Sequence, residues 1–224
     1  MDERMETFIH SFDSAKPEYL CELESYSKET NVPIIRPQMQ SLLRVLITWR
    51  RPMRILEVGT AIGFSALLMS EYAPAGCRIT TIEKYEKRIP VARENFARAG
   101  KNDRITLLEG DAAQVLAGLS EDGGYDLIFM DAAKGQYIHF LPEVLRLLAS
   151  DGLLISDNIL QEGEVVESKY AVTRRNRTIH NRMREYLYAL THCEELETTI
   201  LPFADGVALS AKRDARCLAQ THNP

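Results

Sequence analysis

Three apolar runs in this chain stop abruptly at polar residues, and that pattern constrains the fold more than any other feature. Ile55-Leu56-Glu57-Val58 runs into Gly59-Thr60-Ala61-Ile62-Gly63. Leu127-Ile128-Phe129-Met130 runs into Asp131-Ala132-Ala133-Lys134, and Leu153-Leu154-Ile155-Ser156 into Asp157-Asn158. Near-continuous apolar runs of this length fit strands covered on both faces, the habit of parallel sheets. In a parallel sheet such ends lie side by side. One crevice then receives a glycine-rich loop, two aspartates, an asparagine and a lysine.

The rest of the chain supports that sheet. Strand patterns fall at 53–58, 78–83, 104–108, 125–130 and 152–156, with helical patterns between them at 64–73, 86–99, 112–119 and 137–148. This alternation predicts a doubly wound α/β sheet with a parallel core. Before it, Leu42, Leu43, Leu46, Ile47 and Trp49 recur at helical steps, and Pro33 and Pro37 divide an earlier helical part from a helix beginning near Gln38. Tyr19, Tyr26, Met39 and Trp49 are expected to pack these N-terminal helices together. After residue 160 come a loop, a basic helix over 174–191, and strands at 195–201 and 206–212, with Asp205-Gly206 as the turn between them. The expectation is a single domain over 1–224. It has a helical cap at 1–50, an α/β core at 51–212 and a mobile tail at 213–224.

The bulk numbers narrow the class. At 224 residues, 45% hydrophobic and 26% charged, the chain has enough apolar material for one sizeable core. A net charge of -5 gives no global basic signal for nucleic acid, although a local patch remains open. Cys21, Cys77, Cys193 and Cys217 are far apart and read as free thiols in a reducing compartment. The start, Met1-Asp2-Glu3-Arg4, lacks a signal core, and no apolar stretch approaches the ~18–20 residues that a bilayer requires. The expected location is the cytoplasm, with no membrane contact.

Gly59 and Gly63 follow the first strand and open a helix, with Ser65 in its first turn. Glycine there permits the tight turn and close approach of a ligand, and the free N–H groups of a helix start suit a carboxylate. The loop is GxxxG rather than GxGxxG, which argues against a dinucleotide held by its pyrophosphate. Glu83, at the end of the second strand, is placed to accept both hydroxyls of a ribose, and Gly110-Asp111-Ala112 closes the third strand where an adenine edge could be read. The ordered set favours S-adenosylmethionine (SAM) over NAD.

Asp131, Asp157 and Asn158 offer only oxygen ligands, which suits a hard, partly hydrated divalent ion such as Mg²⁺. Such an ion would orient an acceptor hydroxyl and stabilise it as an oxyanion. Lys134, three residues after Asp131, is placed to take the proton. The competing reading makes Asp157-Asn158 a turn or cap and Asp131 with Lys134 a surface ion pair.

The motifs Glu57–Ser65, Met130-Asp131-Ala132-Ala133-Lys134 and Asp157-Asn158 together resemble the metal-dependent O-methyltransferases of the catechol and caffeoyl-CoA type, over roughly residues 35–212. The resemblance implies a Rossmann-like SAM-dependent methyltransferase fold whose seven-stranded sheet ends in an antiparallel strand. It implies a SAM pocket of Glu57, Gly59, Thr60, Gly63, Ser65, Glu83, Gly110, Asp111, Ala112 and Asp131. Mg²⁺ would sit on Asp131, Asp157 and Asn158, with Lys134 as base, in a homodimer.

The substrate is read from Arg174-Arg175-Asn176-Arg177-Thr178-Ile179-His180-Asn181-Arg182-Met183-Arg184, five arginines without an acid. This segment, with 195–202 and Asp205-Gly206-Val207-Ala208, resembles the bacterial tRNA methyltransferases acting on 5-hydroxyuridine at the wobble position. The resemblance implies that Arg174, Arg175 and Arg177 meet anticodon-loop phosphates. Arg36, next to the expected pocket entrance, is read separately as a phosphate or acceptor contact. The 5-hydroxyl and 4-carbonyl of that base could chelate Mg²⁺ as a catechol does. Alternatives are a small catechol or polyphenol acceptor, or a non-catalytic SAM- or RNA-binding module. Without the resemblance, the arginines read as a solvated face or as partners of Glu162, Glu164 and Glu167. His139 and His180 read as surface or hydrogen-bonded residues rather than ligands.

Overall fold

The computed structural model describes residues 3–120, 122 and 124–214. Three helices come first: α1 (Glu3–His10), α2 (Glu18–Thr30) and α3 (Pro37–Arg50). The alternation then runs β1 (Arg54–Val58), α4 (Phe64–Tyr72), β2 (Arg78–Glu83), α5 (Ile89–Arg98), β3 (Ile105–Glu109), α6 (Ala112–Gly118), β4 (Tyr125–Met130), α7 (Tyr137–Leu147) and β5 (Leu148–Ser156). The chain closes with α8 (Arg177–Thr191), β6 (Leu196–Leu201) and β7 (Val207–Lys212). The expected alternation and the seven strands are all present.

The seven strands form one sheet in the order β3-β2-β1-β4-β5-β7-β6. The β3-β2-β1-β4-β5 pairs are parallel, and β7 runs antiparallel to both β5 and β6, as the resemblance implied. Alternation along each strand feeds two separate cores. Leu127, Phe129 and Ile155 join one core, with Leu43 and Ile47 of α3, Leu67 of α4 and Phe96 of α5. Ile128, Met130 and Leu154 join the other, with Leu116 of α6, Val144 of α7 and Tyr186 of α8. Helices therefore cover both faces, which is why these strands are apolar throughout. Truncating a side chain such as Leu127 to alanine in either core costs roughly 2–5 kcal/mol.

Several boundaries and contacts depart from the sequence reading. The helix α3 starts at Pro37, whose fixed φ suits a first helical position. The strand β5 begins at Leu148, because Leu148 pairs with Tyr125 before the register shifts and resumes at Leu153 opposite Leu127. The basic helix begins at Arg177, so Arg174 and Arg175 lie in the turn before it. Short 3₁₀ turns at Lys134–Gln136 and Gln161–Val166 had no sequence signal. Met39 is fully buried as expected, but Trp49 is 75% exposed on the outer side of α3 and Tyr26 is also exposed. His180 is buried and hydrogen-bonded, one of the two expected alternatives, with Nε2 3.1 Å from the Glu167 carbonyl. Cys21, Cys77 and Cys193 are free thiols. Cys217 and the tail from 215 lie outside the described residues. Among the described residues, no helix is long and apolar enough to cross a membrane.

Candidate active site

Parallel register places the strand ends in one row. Val58 pairs with Ile82 and with Met130, Met130 pairs with Ser156, and Glu83 pairs with Glu109. The backbone ladder continues one residue further: Asp131 N–H donates to Val58 O (3.1 Å), Asp157 N–H to Met130 O (3.0 Å) and Gly110 N–H to Glu83 O (2.9 Å). Above this row lies a crevice of about 610 Å³, within the range of small-molecule and cofactor sites. Gly59, Thr60, Ser65, Glu83, Gly110, Asp111, Ala112, Asp131, Lys134, Asn158 and Arg36 all line it. Glu57, Gly63 and Asp157 are expected site residues that do not line it. The loop Pro33-Ile34-Ile35-Arg36 also lines the crevice.

The glycine loop is shaped by crowding. Gly59 has φ +97°, and a Cβ there would fall 2.5 Å from the backbone oxygen of Asp131. Gly63 has φ +88°, and its Cβ would fall 2.5 Å from the Phe96 ring. Only glycine lets the ends of β1 and β4 approach this closely. Having no side chain, Gly63 also leaves the start of α4 without a side-chain cap, next to the buried Ser65.

Glu57 is fully buried, and Thr81 Oγ1–H donates to its Oε2. Among the described residues, Glu57 Oε1 and the buried Thr60 hydroxyl have no hydrogen-bond partner. Burial pushes the Glu57 carboxyl up to about 7, against the opposing effect of hydroxyl donors such as Thr81. Unpartnered buried oxygens beside an open crevice are what a ligand carrying polar N–H groups would satisfy. Glu83 accepts from the Ala61, Lys84 and Tyr85 N–H groups at 2.8, 2.9 and 2.8 Å. A carboxylate has lone pairs beyond those three, so it can still accept from ligand hydroxyls. Asp111 is the N-cap of α6, where its Oδ1 accepts from Ala113 N–H at 3.0 Å.

The other half of the crevice is acidic. Burial pushes the Asp131 carboxyl up to about 6, opposed by Lys134. Burial, followed by the charge of Asp131, pushes Asp157 up to about 7. Asn158 N–H donates to Asp157 Oδ1 (2.8 Å), and Asn158 itself has φ +55°, a conformation asparagine tolerates. Among the described residues, no group of three His, Cys, Asp or Glu is placed to hold a metal ion. The set here has two carboxylates and takes its third oxygen from the Asn158 amide. Two buried carboxylates, the charge of Asp131 raising the proton affinity of Asp157, with an amide oxygen alongside, fit a hard cation that keeps waters of its own.

Sequence reasoning missed Asp205. Its carboxylate lines the crevice and accepts from Lys134 Nζ at 3.1 Å. It also accepts from the Glu162 N–H. Its sequence signals were Asp-Gly, which reads as a turn, and its place in a stretch that carries the resemblance, neither of which gave it a role in the site. Tyr137 was missed as well; its hydroxyl lies 3.1 Å from the carbonyls of Met130 and of Asp157.

The arginine segment divides into two groups. Arg177 Nε donates to Val172 O (3.3 Å), Arg182 Nη1 to Gly135 O (3.1 Å) and Arg184 Nη1 to Val165 O (3.2 Å). These hold the segment against the Lys134 turn and its neighbours, and none of them pairs with Glu162, Glu164 or Glu167. Arg174 and Arg175 are exposed. No described residue pairs with either. Arg174, Arg175 and Arg177 do not line the crevice; Arg36 does, 3.7 Å from Glu162.

Comparison with known proteins agrees with this geometry. The profile of the O-methyltransferase family matches residues 10–213, and the chain belongs to that family. It is 32% identical over 143 residues to a catechol O-methyltransferase of Niastella koreensis, covering 62% of this chain and 65% of that protein. It is 31% identical over 162 residues to a caffeoyl-CoA O-methyltransferase of Citrus natsudaidai, covering 70% of this chain. The SAH-bound methyltransferase PaMTH1 of Podospora anserina superposes with a TM-score of 0.84 at 26% identity, over 96% of this chain and 97% of that one. The fold is the Rossmann-like methyltransferase fold.

Proposed function

We propose that this protein transfers a methyl group from SAM to a hydroxyl oxygen with the help of a hard divalent ion such as Mg²⁺. The observation that carries the reading is the adjacency of two ligand sets at aligned strand ends. Gly59, Thr60 and Ser65, which follow β1, line the same crevice as Asp131 and Lys134, which follow β4, and Asn158, which follows β5. The similarity to an SAH-bound methyltransferase supports the donor half, and that to a catechol O-methyltransferase supports a hydroxyl acceptor.

On this reading, Glu57 and Thr60 supply the buried oxygens behind the donor's polar end, Glu83 meets its ribose hydroxyls, and Asp111 borders its base. SAM supplies a methyl group on a positively charged sulfur. Asp131, Asp157 and Asn158 would hold the ion, which supplies Lewis acidity to an acceptor oxygen. Lys134 takes the hydroxyl proton as the oxygen is methylated. The crevice walls hold donor and acceptor in line, so positioning contributes a large share of the rate.

The acceptor proposed is the 5-hydroxyl of 5-hydroxyuridine at the tRNA wobble position. Arg174 and Arg175 offer two charges to phosphate, and Tyr170, exposed beside Lys169, offers a face on which a splayed base can stack. Arg182 links the basic helix to Gly135, the residue after Lys134. A small catechol is the second reading, favoured by the Niastella relative's name. Nucleoside mass spectrometry of tRNA from cells lacking this protein separates the two. Loss of 5-methoxyuridine with accumulation of 5-hydroxyuridine is expected, and unchanged 5-methoxyuridine excludes the tRNA reading.

A cytoplasmic homodimer completes the proposal. Val45 and Trp49 leave an apolar stripe exposed on α3, and Phe8 of α1 and Phe12 just after it are exposed. Sedimentation at micromolar concentration tests it; a monomer there contradicts it.

A further inference from the structure

A buried amide ties the N-terminal helices to the crevice. Gln40 of α3 is 3% exposed. Its Oε1 accepts from Lys16 Nζ at 2.8 Å, and its Nε2 donates to Glu24 Oε1 at 2.8 Å and to Ile35 O at 3.1 Å. Lys16 and Glu24 also pair directly at 2.5 Å, and both are largely buried. Both hydrogens of the amide are therefore used. Its surroundings fix which way it points, because a reversed amide would turn its oxygen on the Glu24 carboxylate and the Ile35 carbonyl.

The anchored carbonyl belongs to the loop 33–36, which lines the crevice. The backbone N–H of Gln40 donates to the next carbonyl as well, Arg36 O at 3.0 Å. Gln40 thus holds both peptide carbonyls that flank the Arg36 α-carbon, which fixes the direction in which that side chain leaves the backbone. The start of the loop is pinned separately: Val32 N–H donates to Ser27 O (3.1 Å), and Ser27 Oγ–H donates to Val32 O (2.8 Å). The Arg36 guanidinium is half-exposed and lies 3.7 Å from Glu162, which is 82% exposed. An ion pair so open to water is worth little, so an incoming anion can take the guanidinium from Glu162. The planar fork of arginine suits a phosphate in particular. We propose that Gln40 is a positioning residue that presents Arg36 to a phosphate of the acceptor RNA, an inference that rests on tRNA as the acceptor. Lys16 and Glu24 hold the amide in place, and Arg36 then loses less freedom on binding than it would on a loose loop.

The test measures KM for hydroxyuridine-containing tRNA in Gln40→Leu, Arg36→Ala, their double variant, Lys16→Met and Leu43→Ala. Leu43 is a fully buried core residue of the same helix, so its truncation reports lost stability alone. Gln40→Leu and Arg36→Ala should each raise this KM about tenfold, the loss of one charge-assisted contact. KM for SAM should stay parental. The double variant should be no worse than Arg36→Ala, because Gln40 acts through that residue. Lys16→Met leaves the amide in place without its lysine donor. It should shift KM in the same direction by less, and it decides the matter if Gln40→Leu does not fold. Leu43→Ala should melt lower at parental KM. Parental KM in Gln40→Leu and Lys16→Met, with Arg36→Ala impaired, overturns the positioning role and leaves the arginine contact standing. Additive losses in the double variant overturn the route through Arg36. An equal rise in Leu43→Ala also overturns the proposal, by assigning Gln40 to general stability. A parent protein that methylates catechol but not tRNA overturns the tRNA reading itself, and the phosphate role of Arg36 with it.

Discussion

The hydroxyl of Tyr137 stands 3.1 Å from the backbone carbonyl of Asp157, and equally close to that of Met130. Tyr137 is fully buried, and its ring meets Tyr186 edge-on at 5.4 Å. One phenol at the start of α7 thus fastens the ends of β4 and β5 from behind, where Asp131 and Asp157 emerge. Tyr137→Phe keeps the ring and leaves buried carbonyls short of a donor. The expected cost is about 1–3 kcal/mol in urea denaturation, with weaker binding of the divalent ion. Unchanged stability and metal affinity would show that the backbone ladder alone holds the two strand ends.

The strand ends were legible because a parallel sheet covered on both faces demands unbroken apolar runs, and the chemistry begins where each run stops. Gly59, Asp131 and Asn158 were found that way. Asp205 was not, because its partner lies 71 residues away and only the antiparallel insertion of β7 beside β5 brings them together. The exposure of Trp49 was hidden for a related reason. Helical spacing identifies an apolar stripe but not what covers it, and no described element of this chain covers that side of α3. The arginine segment read as one basic unit, yet three of its members are spent on backbone carbonyls, which local sequence cannot reveal.

Acidity should stabilise the protein when it is free of metal. Glu57, Asp131 and Asp157 hold their protons up to about 7, 6 and 7 when folded, and release them near pH ~4 when unfolded. The folded chain therefore binds more protons in that window, and stability falls as pH rises from ~4 through about 7. The melting temperature of chelator-treated protein should drop across this range. Saturating Mg²⁺ should reduce the drop, because the ion replaces the protons on Asp131 and Asp157. A melting temperature that rises over this window contradicts the assignment.

Gly59→Ala should damage the donor side. Its Cβ would meet the Asp131 backbone oxygen at 2.5 Å while holding φ near +97°. Overpacking and backbone strain together cost about 2 kcal/mol or more. Calorimetry should show at least a tenfold loss of S-adenosylhomocysteine affinity; parental affinity would mean that the loop does not approach the ligand.

The exposed arginines should matter for one acceptor class only. The double variant Arg174→Ala, Arg175→Ala removes two charges that no described residue uses. Methylation of hydroxyuridine-containing tRNA should fall at least tenfold and become less sensitive to salt, since fewer counterions are released on binding. Methylation of catechol should be unchanged. Equal effects on both acceptors would place these arginines in folding rather than RNA contact.

The central claim is tested most directly by labelled methyl transfer under metal control. Purified protein is incubated with methyl-labelled SAM and either hydroxyuridine-containing tRNA or catechol, with Mg²⁺ or with EDTA. Label should appear on an acceptor oxygen only with the metal, and should be lost in Asp157→Ala even at high Mg²⁺. Transfer that survives both EDTA and Asp157→Ala would contradict the account.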